Sequence, residues 1–387
     1  MAEPAAAVAR PLRSALALGL AAAVSLGLAR FSYALLLPPM RAALGWSYFT
    51  AGAMNTVNAA GYLAGALLAP RVFARLDARR VMLAGGLAAA LLLALHGLAR
   101  GDALLYLLRF LTGVASAAAF VGGGLLAARV ATAPGARSGL VLGLYYGGTG
   151  AGIVVSALAV PLLPWRWAWG LLGLLAAVAT ALAAAGTRHL VAPPRSGSAG
   201  VRLGLRPFAF GLAAYALFGL GYIGYMTFSV TLLRERGLAG PVIVGFYALL
   251  GLGVVASSWL WAGLLQRHRG GGPLALLNAL LALATVLPVF SHTLPAVLAS
   301  GLLFGSVFLS VVASTTALVR HNTAPAQWAP GIAAFTIVFA AGQIVGPSLV
   351  GRIADGPGGL ARGLAISAGA LALGALLALG QRAQPRP

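Results

Sequence analysis

The sequence contains no cysteine, and only five of its 387 residues are acidic. Without cysteine the chain has no disulfide bond, thiolate metal site or cysteine nucleophile, and we expect neither a metal nor a cofactor. The acidic residues lie in loops or at the ends of apolar runs: Glu3, Asp77, Asp102, Glu235 and Asp355. The five histidines also fall at helix ends or in loops. The predicted membrane interior therefore lacks the Asp, Glu or His through which proton-driven carriers commonly relay protons.

Lysine is absent as well, so all 26 basic residues are arginine and the net charge is +21. A strongly basic chain can indicate a nucleic-acid partner, but these arginines lie mostly in short gaps between apolar runs. Charged residues make up 8% of the chain, against about 25% in a soluble domain, and hydrophobic residues make up 60%. The composition predicts an integral membrane protein whose partner is the lipid bilayer and not a nucleic acid.

Twelve apolar runs are long enough to cross a bilayer, which takes about 20 residues per helix. They cover residues 14–37, 47–70, 81–99, 103–128, 138–161, 167–187, 207–233, 241–265, 273–290, 294–319, 331–350 and 359–380. The first run is longer than the roughly 7–15 apolar residues of a cleavable signal peptide, so we interpret it as a retained helix. The sequence predicts an all-α integral membrane fold with twelve transmembrane helices.

The two halves of the chain align without a gap when one is shifted by 192 residues. The shift superimposes sparse residues along most of the chain: Gly27 on Gly219, Tyr33 on Tyr225, Gly61 on Gly253, Gly113 on Gly305 and Gly150 on Gly342. Many transporters build a site between two such repeats. We therefore predict two pseudo-symmetric six-helix halves, residues 1–190 and 207–387, joined by a cytoplasmic linker at 191–206.

Arginine is distributed unequally between the two predicted sides of the membrane. Seventeen arginines lie in the loops and termini of one side and seven in the loops of the other. Because cytoplasmic loops carry an excess of Lys and Arg, both termini are predicted to lie in the cytoplasm, and we place the chain in the cell inner membrane. Trp165, Trp167 and Trp169 are then expected to form an aromatic belt at the outer interface.

Several motifs point to one family. They are Arg71-Val-Phe-Ala-Arg-Leu-Asp-Ala-Arg-Arg80 after the second run, Arg109-Phe-Leu-Thr-Gly113 in the fourth, Gly143-Leu-Tyr-Tyr-Gly-Gly-Thr-Gly150 in the fifth, Gly27-Leu-Ala-Arg-Phe-Ser-Tyr33 in the first, Tyr215 to Tyr225 in the seventh, and Gly342-Gln-Ile-Val-Gly-Pro347 in the eleventh. With these motifs the chain resembles the major facilitator superfamily, and within it the YbfB/YjiJ-type branch.

The resemblance implies a transporter with two six-helix halves and cytoplasmic termini. It also implies coupling or gating roles for four residues, namely Asp77, Arg79, Arg80 and Arg109. The loop after the second run departs from the family pattern at two positions, where Arg75 replaces an Asp and Ala78 replaces a Gly.

Arg30 is the main candidate for binding a substrate. It lies inside the first run, and an arginine at the centre of a membrane helix costs about 2.5–3.5 kcal/mol, so such residues usually face a cavity or a partner. The alternative is that its long side chain reaches the headgroups. Tyr33 lies one turn further on the same face. The repeat pairs Arg30 with Tyr222 and Tyr33 with Tyr225, and predicts that Arg30 and Tyr222 lie near each other in a central cavity.

The remaining substrate-binding candidates have equally plain structural alternatives. Tyr222 and Tyr225 could contact substrate or pack in the core. Gln343 could line the cavity or bind the carbonyl freed by Pro347. Asn58, with Asn55, could contact substrate or hold helices together.

The leading functional hypothesis is a secondary transporter that moves a small organic anion by alternating access. An anion suits a positively charged cavity whose helices carry no carboxylate, and this absence favours exchange or facilitated movement over tight proton coupling. The alternative is an exporter of amphipathic or drug-like compounds. A remote alternative is a membrane sensor or scaffold that does not transport. An enzyme is not expected, because the helices offer no nucleophile–base pair, and we expect the chain to be a monomer.

Overall fold

The computed structural model describes residues 11–134, 136–190 and 204–384, and these residues form helices joined by short connections. The long helices are α1 (Pro11–Leu44), α2 (Tyr48–Phe73), α3 (Ala78–His96), α4 (Asp102–Ala131), α5 (Ser138–Leu162), α6 (Trp165–Gly186), α7 (Arg206–Glu235), α8 (Gly240–Arg267), α9 (Gly272–Phe290), α10 (Leu294–Asn322), α11 (Pro325–Ala354) and α12 (Gly359–Leu379). Within the described ranges, 11 of them are long and apolar enough to cross a membrane. The twelfth, α2, has 26 residues and carries Asn55, Thr56 and Asn58 near its middle. The predicted fold class is confirmed.

Helix α1 differs from the simple helix that the sequence predicts. It extends to Leu44 through Pro38 and Pro39, and residues Ala23–Phe31 are wound as a π-helix. The backbone N–H of Ser32 donates to the carbonyl of Gly27, five residues earlier, at 3.1 Å. π-helical turns are rare and are frequent at functional sites. The altered winding matters because Arg30 lies within this stretch.

The helices form two compact units. Unit 1 comprises Met1–Ser32 and Gly61–Gly197, and unit 2 comprises Tyr33–Ala60 and Ser198–Pro387. The second part of α1 and the first part of α2 therefore pack with helices α7 to α12. The predicted repeat boundary at the linker 191–206 stays a prediction, because residues 191–203 lie outside the described part of the chain.

Glycines allow helices to approach closely at equivalent places in the two units. A Cβ atom at Gly61 in unit 1 would lie 2.0 Å from the carbonyl oxygen of Phe110 on α4. A Cβ atom at Gly253 in unit 2 would lie 2.6 Å from the carbonyl oxygen of Leu302 on α10. Both distances are too short for any side chain, so only glycine permits this packing. Since both partners are related by the same 192-residue shift, the two units repeat the packing of α2 on α4.

The helices that carry the candidate residues pack in the same way. In unit 1, a Cβ at Gly27 of α1 would lie 2.5 Å from the Cα of Gly152 on α5. In unit 2, a Cβ at Gly219 of α7 would lie 2.5 Å from the carbonyl oxygen of Phe339 on α11. The α1–α5 pair and the α7–α11 pair thus occupy equivalent places in the two repeats. Each pair fixes the backbone beside one candidate position, Arg30 in the first and Tyr222 in the second.

Candidate functional site

Arg30 is buried in unit 1, with 4% of its surface exposed. Its guanidinium carbon lies 5.5 Å from the ring centre of Tyr62 on α2 and 5.9 Å from that of Phe31. Both distances are in the range of cation–π attraction, which strengthens where water is excluded. The charge is therefore held inside unit 1, and the alternative of a side chain extended to the headgroups does not describe this conformation. Tyr62 was not among the residues singled out from the sequence.

Arg109 approaches the same section of α1 from α4. Its side chain is 1% exposed, and its Nη1 donates to the carbonyl oxygen of Ala29 at 3.2 Å. Its guanidinium carbon lies 6.0 Å from the ring centre of Trp169 on α6. A second arginine is thus bonded to the backbone one residue before Arg30. We call the group formed by Arg30, Arg109, Trp169 and His96 the arginine cluster.

His96 belongs to the arginine cluster although the sequence indicated a histidine at a helix end. It is the last residue of α3, yet it is fully buried. Its ring stacks on Trp169 with centres 4.4 Å apart and planes 24° apart. Its Nδ1 lies 2.7 Å from the carbonyl oxygen of Leu92. No spacing in the sequence pairs His96 with Arg109, because both meet Trp169, which lies on a third helix.

The predicted aromatic belt is wrong for Trp169, Trp165 is buried as well, and for Trp167 the belt stays a prediction. Trp169 is fully buried beneath His96, whereas Trp167 is 72% exposed. The two residues differ because they lie two positions apart on α6, so they point to different sides of the helix. Trp169 therefore contributes to the interior of unit 1 and not to an interfacial belt.

The loop between α2 and α3 holds helix ends together. Asp77 caps α3, since its Oδ1 accepts from the backbone N–H groups of Arg79 at 2.9 Å and Arg80 at 3.1 Å. Arg79 reaches the end of α6, where it donates to the hydroxyl of Thr187 at 3.2 Å and the carbonyl of Ala184 at 2.8 Å. The side chain of Arg80 is exposed. These contacts give Asp77 and Arg79 structural roles, and the gating roles of all three residues stay predictions.

Unit 2 has an aromatic group at the repeat position of Arg30. The hydroxyl of Tyr222 donates to Oε1 of Gln343 on α11 at 2.7 Å. Its ring lies 4.7 Å from that of Phe218 and 5.6 Å from that of Phe339, with interplanar angles of 19° and 20°. Phe308 on α10 completes the stack at 5.9 Å. We call Phe218, Tyr222, Phe308, Phe339 and Gln343 the aromatic cluster.

The other tyrosine candidates lie in hydrogen-bonded packing. Tyr225 is fully buried, and its hydroxyl lies 2.6 Å from the Oγ of Ser300. Ser300 donates its own hydrogen to the carbonyl of Ala284 at 2.6 Å, so Tyr225 is the donor of the pair. Tyr33 donates to the carbonyl of Ala51 at 2.8 Å. The contact of Tyr225 agrees with its core-packing alternative, and substrate contact by Tyr33 or Tyr225 stays a prediction.

The asparagines of α2 are also buried in unit 2. Asn55 donates to the hydroxyl of Thr227 on α7 at 2.7 Å, which is the interhelical bonding expected of a polar residue in a membrane helix. Asn58 is 1% exposed. The structure therefore places Asn55 in helix packing, and substrate contact by Asn58 stays a prediction.

Two of the five acidic residues meet at the N-terminus of α2. The carboxylate of Asp355 accepts from the backbone N–H groups of Tyr48 at 2.7 Å and Phe49 at 3.0 Å. Glu235 accepts from the hydroxyl of Tyr48 and forms an ion pair with Arg41 at 3.5 Å. Carboxylates are favourable at a helix N-terminus because its N–H groups carry partial positive charge. This carboxylate clasp was not expected from the sequence.

Solved structures of similar fold are membrane transporters. The nucleoside transporter NupG has 15% identity, covers 96% of this chain and 98% of its own, and gives a TM-score of 0.73. A bacterial homologue of the human lysosomal transporter Spinster has 15% identity, coverage of 97% and 100%, and a TM-score of 0.69. The human organic anion transporter MFSD10 (TETRAN) has 16% identity, coverage of 95% and 99%, and a TM-score of 0.65. The fold is that of the major facilitator superfamily.

A family model described as "Uncharacterised MFS-type transporter YbfB" matches residues 22–379. The chain therefore belongs to the YbfB-type family of major facilitator transporters, as the sequence motifs predicted, and is a multi-pass membrane protein of the transporter class. No curated protein sequence matches the chain significantly.

Proposed function

We propose that this transporter carries a small organic anion across the cell inner membrane by alternating access. The arginine cluster is the observation that supports an anion. It brings two buried guanidinium groups, 4% and 1% exposed, to the π-helical section of α1. The helix interiors carry no acidic residue in the sequence, so a carboxylate or similar group on the solute would supply negative charge. Charge-assisted hydrogen bonds between arginine and carboxylate are about twice as strong as neutral ones.

The solved structures of similar fold do not identify the solute of this transporter. Proteins named for nucleosides and for organic anions share this fold at 15% and 16% identity, and one fold can serve many functions. The proposal of an anion therefore depends on Arg30 and Arg109 in this chain.

Export of amphipathic compounds is the second candidate, and the aromatic cluster supports it. Stacked rings offer apolar area with few hydrogen-bonding groups, which suits a planar or amphipathic molecule. The two candidates predict different solute charges, so the charge of a bound or transported compound separates them.

A flux assay tests the proposal. Purified protein in proteoliposomes should take up a carboxylate found by a thermal-shift screen of carboxylates, sugar acids and common drugs, since a ligand that binds only the folded state raises its apparent stability. Arg30→Ala should lose the flux, and Arg188→Ala, which removes an exposed arginine from unit 1, should retain it. Binding without flux would favour the sensor alternative.

The proposed orientation can be tested by thiol labelling, because the chain contains no cysteine. Arg100 and Arg188 are both exposed and lie in loops predicted to face opposite sides. In intact cells, a membrane-impermeant maleimide should label Arg100→Cys and leave Arg188→Cys unlabelled until the membrane is opened. The reverse pattern would place the termini outside the cytoplasm.

A further inference from the structure

All five histidines of the chain lie within the described ranges, and His96 is the only one of them that is fully buried. It is 0% exposed, whereas His189, His268 and His292 are exposed and His321 is partly so. Its ring is covered by Trp169, 4.4 Å away. A titratable group is therefore enclosed inside unit 1, stacked on the Trp169 ring over which Arg109 lies.

The hydrogen bonding of His96 assigns its two ring nitrogens different roles. A carbonyl oxygen can only accept, so the 2.7 Å contact with Leu92 requires a hydrogen on Nδ1. In the neutral ring Nε2 then carries the lone pair. This atom is buried and makes no hydrogen bond to any described residue. Nε2 is thus an enclosed proton acceptor.

The charges on the helices packed against α3 explain when this acceptor would take a proton. Within unit 1 they are Arg13 and Arg30 on α1, Asp102, Arg109 and Arg129 on α4, and Arg166 on α6, which donates to the carbonyls of Gly97 and Ala99 at 3.1 and 2.9 Å. Arg109 lies over the same Trp169 ring on which His96 stacks. Five of these six charges are positive, so positive charge dominates around His96 as long as no anion is bound.

We propose that Nε2 of His96 binds a proton that travels with the anionic solute. This inference rests on the proposed function, since it needs an anion at Arg30 and Arg109. An anion there offsets the positive charge that disfavours the imidazolium form, so anion and proton strengthen each other's binding, and the coupling is reciprocal. A proton from solvent adds to the Nε2 lone pair when the anion binds and leaves when the anion is released. Coupled movement then replaces the exchange or facilitated movement expected from the lack of buried carboxylates.

The titration of His96 can be followed by NMR of the full chain, labelled with 13C at histidine Cε1, in lipid nanodiscs. His96→Gln identifies the resonance. The probe is acetate, a small solute with one carboxylate, compared with chloride at equal ionic strength. We expect acetate to move the His96 titration to higher pH, and Arg109→Gln to move it in the same direction without any anion. Arg188→Gln, which removes an exposed arginine, should leave it unchanged.

The outcomes separate this inference from the proposed function. If the His96 resonance does not titrate between pH 4 and 9 with acetate or in Arg109→Gln, His96 is a packing residue and the inference is wrong. If Arg109→Gln folds poorly, the acetate comparison in the wild-type protein decides alone. If Arg109→Gln shifts the titration but acetate does not, the linkage between charge and proton stands and the anion at the arginine cluster fails.

Discussion

The two units share their helix packing and differ in the chemistry of one repeat position. Arg30 in unit 1 and Tyr222 in unit 2 are related by the 192-residue shift, and each lies on a helix held closely by a glycine contact. Around Arg30 the partners are cationic and aromatic, with Arg109 bonded to Ala29. Around Tyr222 they are uncharged stacked rings and one amide. The close glycine contacts are thus alike in the two units, while the side chains around the two candidate positions differ, with arginines in unit 1 and uncharged groups in unit 2.

The largest expected effect concerns the close glycine contacts that both units contain. Gly61→Leu and Gly253→Leu should each prevent stable folding, because even a Cβ would lie 2.0 or 2.6 Å from a backbone carbonyl oxygen. Gly245→Leu, at a helix position with no neighbouring atom within 4 Å, is the matched control. The measurement is the yield of monodisperse protein and its thermal midpoint. A stable Gly61→Leu or Gly253→Leu protein would show that the close packing is not common to both units.

A smaller effect is expected at the carboxylate clasp of unit 2. Asp355→Ala removes the acceptor of two N–H groups at the start of α2, and loss of such a cap costs about 0.5–2 kcal/mol. The thermal midpoint should fall. Glu235→Gln, which weakens a partly exposed ion pair, should cost less, since such pairs contribute about 0–1 kcal/mol. An Asp355→Ala protein as stable as the wild type would show that the carboxylate clasp does not stabilise the fold.

The smallest effect concerns the aromatic cluster. Tyr222→Phe removes only the hydroxyl that donates to Gln343, and hydrogen bonds between membrane helices average about 0.6 kcal/mol. The thermal midpoint should change little, and binding of an organic anion should weaken less than it does in Arg30→Ala. If Tyr222→Phe abolishes binding of the anion while Arg30→Ala does not, the solute is bound by the aromatic cluster and not by Arg30.

Most of the helix positions followed from the sequence, because twelve apolar runs with arginine-rich gaps leave few ways to cross a bilayer. Helix α11 begins at Pro325, six residues before the predicted run at 331–350, and continues through Pro330, which lies inside it. The π-helical stretch of α1 was not predicted from the sequence, and it lies where Gly27 approaches Gly152 and Arg109 bonds to Ala29, contacts between helices distant in the sequence.

For the candidate site, sequence reasoning found the charged residues that interrupt apolar runs. It missed the residues whose place in the arginine cluster depends on contacts between helices. Arg30 and Arg109 are charges in apolar runs, so they could be named in advance. His96 ends a helix and Trp169 lies among interfacial tryptophans, and both looked like boundary residues. They are buried because α6 covers the end of α3, where Arg166 also bonds the last carbonyls of that helix.

The charge of Arg30 is proposed to bind an anionic solute, and equilibrium binding of the screened carboxylate tests this directly. Losing a charge-assisted hydrogen bond costs about 1.5–3 kcal/mol, so Arg30→Ala should bind roughly 10- to 150-fold more weakly, at 1.4 kcal/mol per tenfold. Arg30→Lys should recover only part of the affinity, because a point charge lacks the two-pronged geometry of guanidinium, and Arg188→Ala should bind like the wild type. Equal affinity of Arg30→Ala and wild type, together with a neutral or cationic solute, would contradict the claim and favour export of amphipathic compounds.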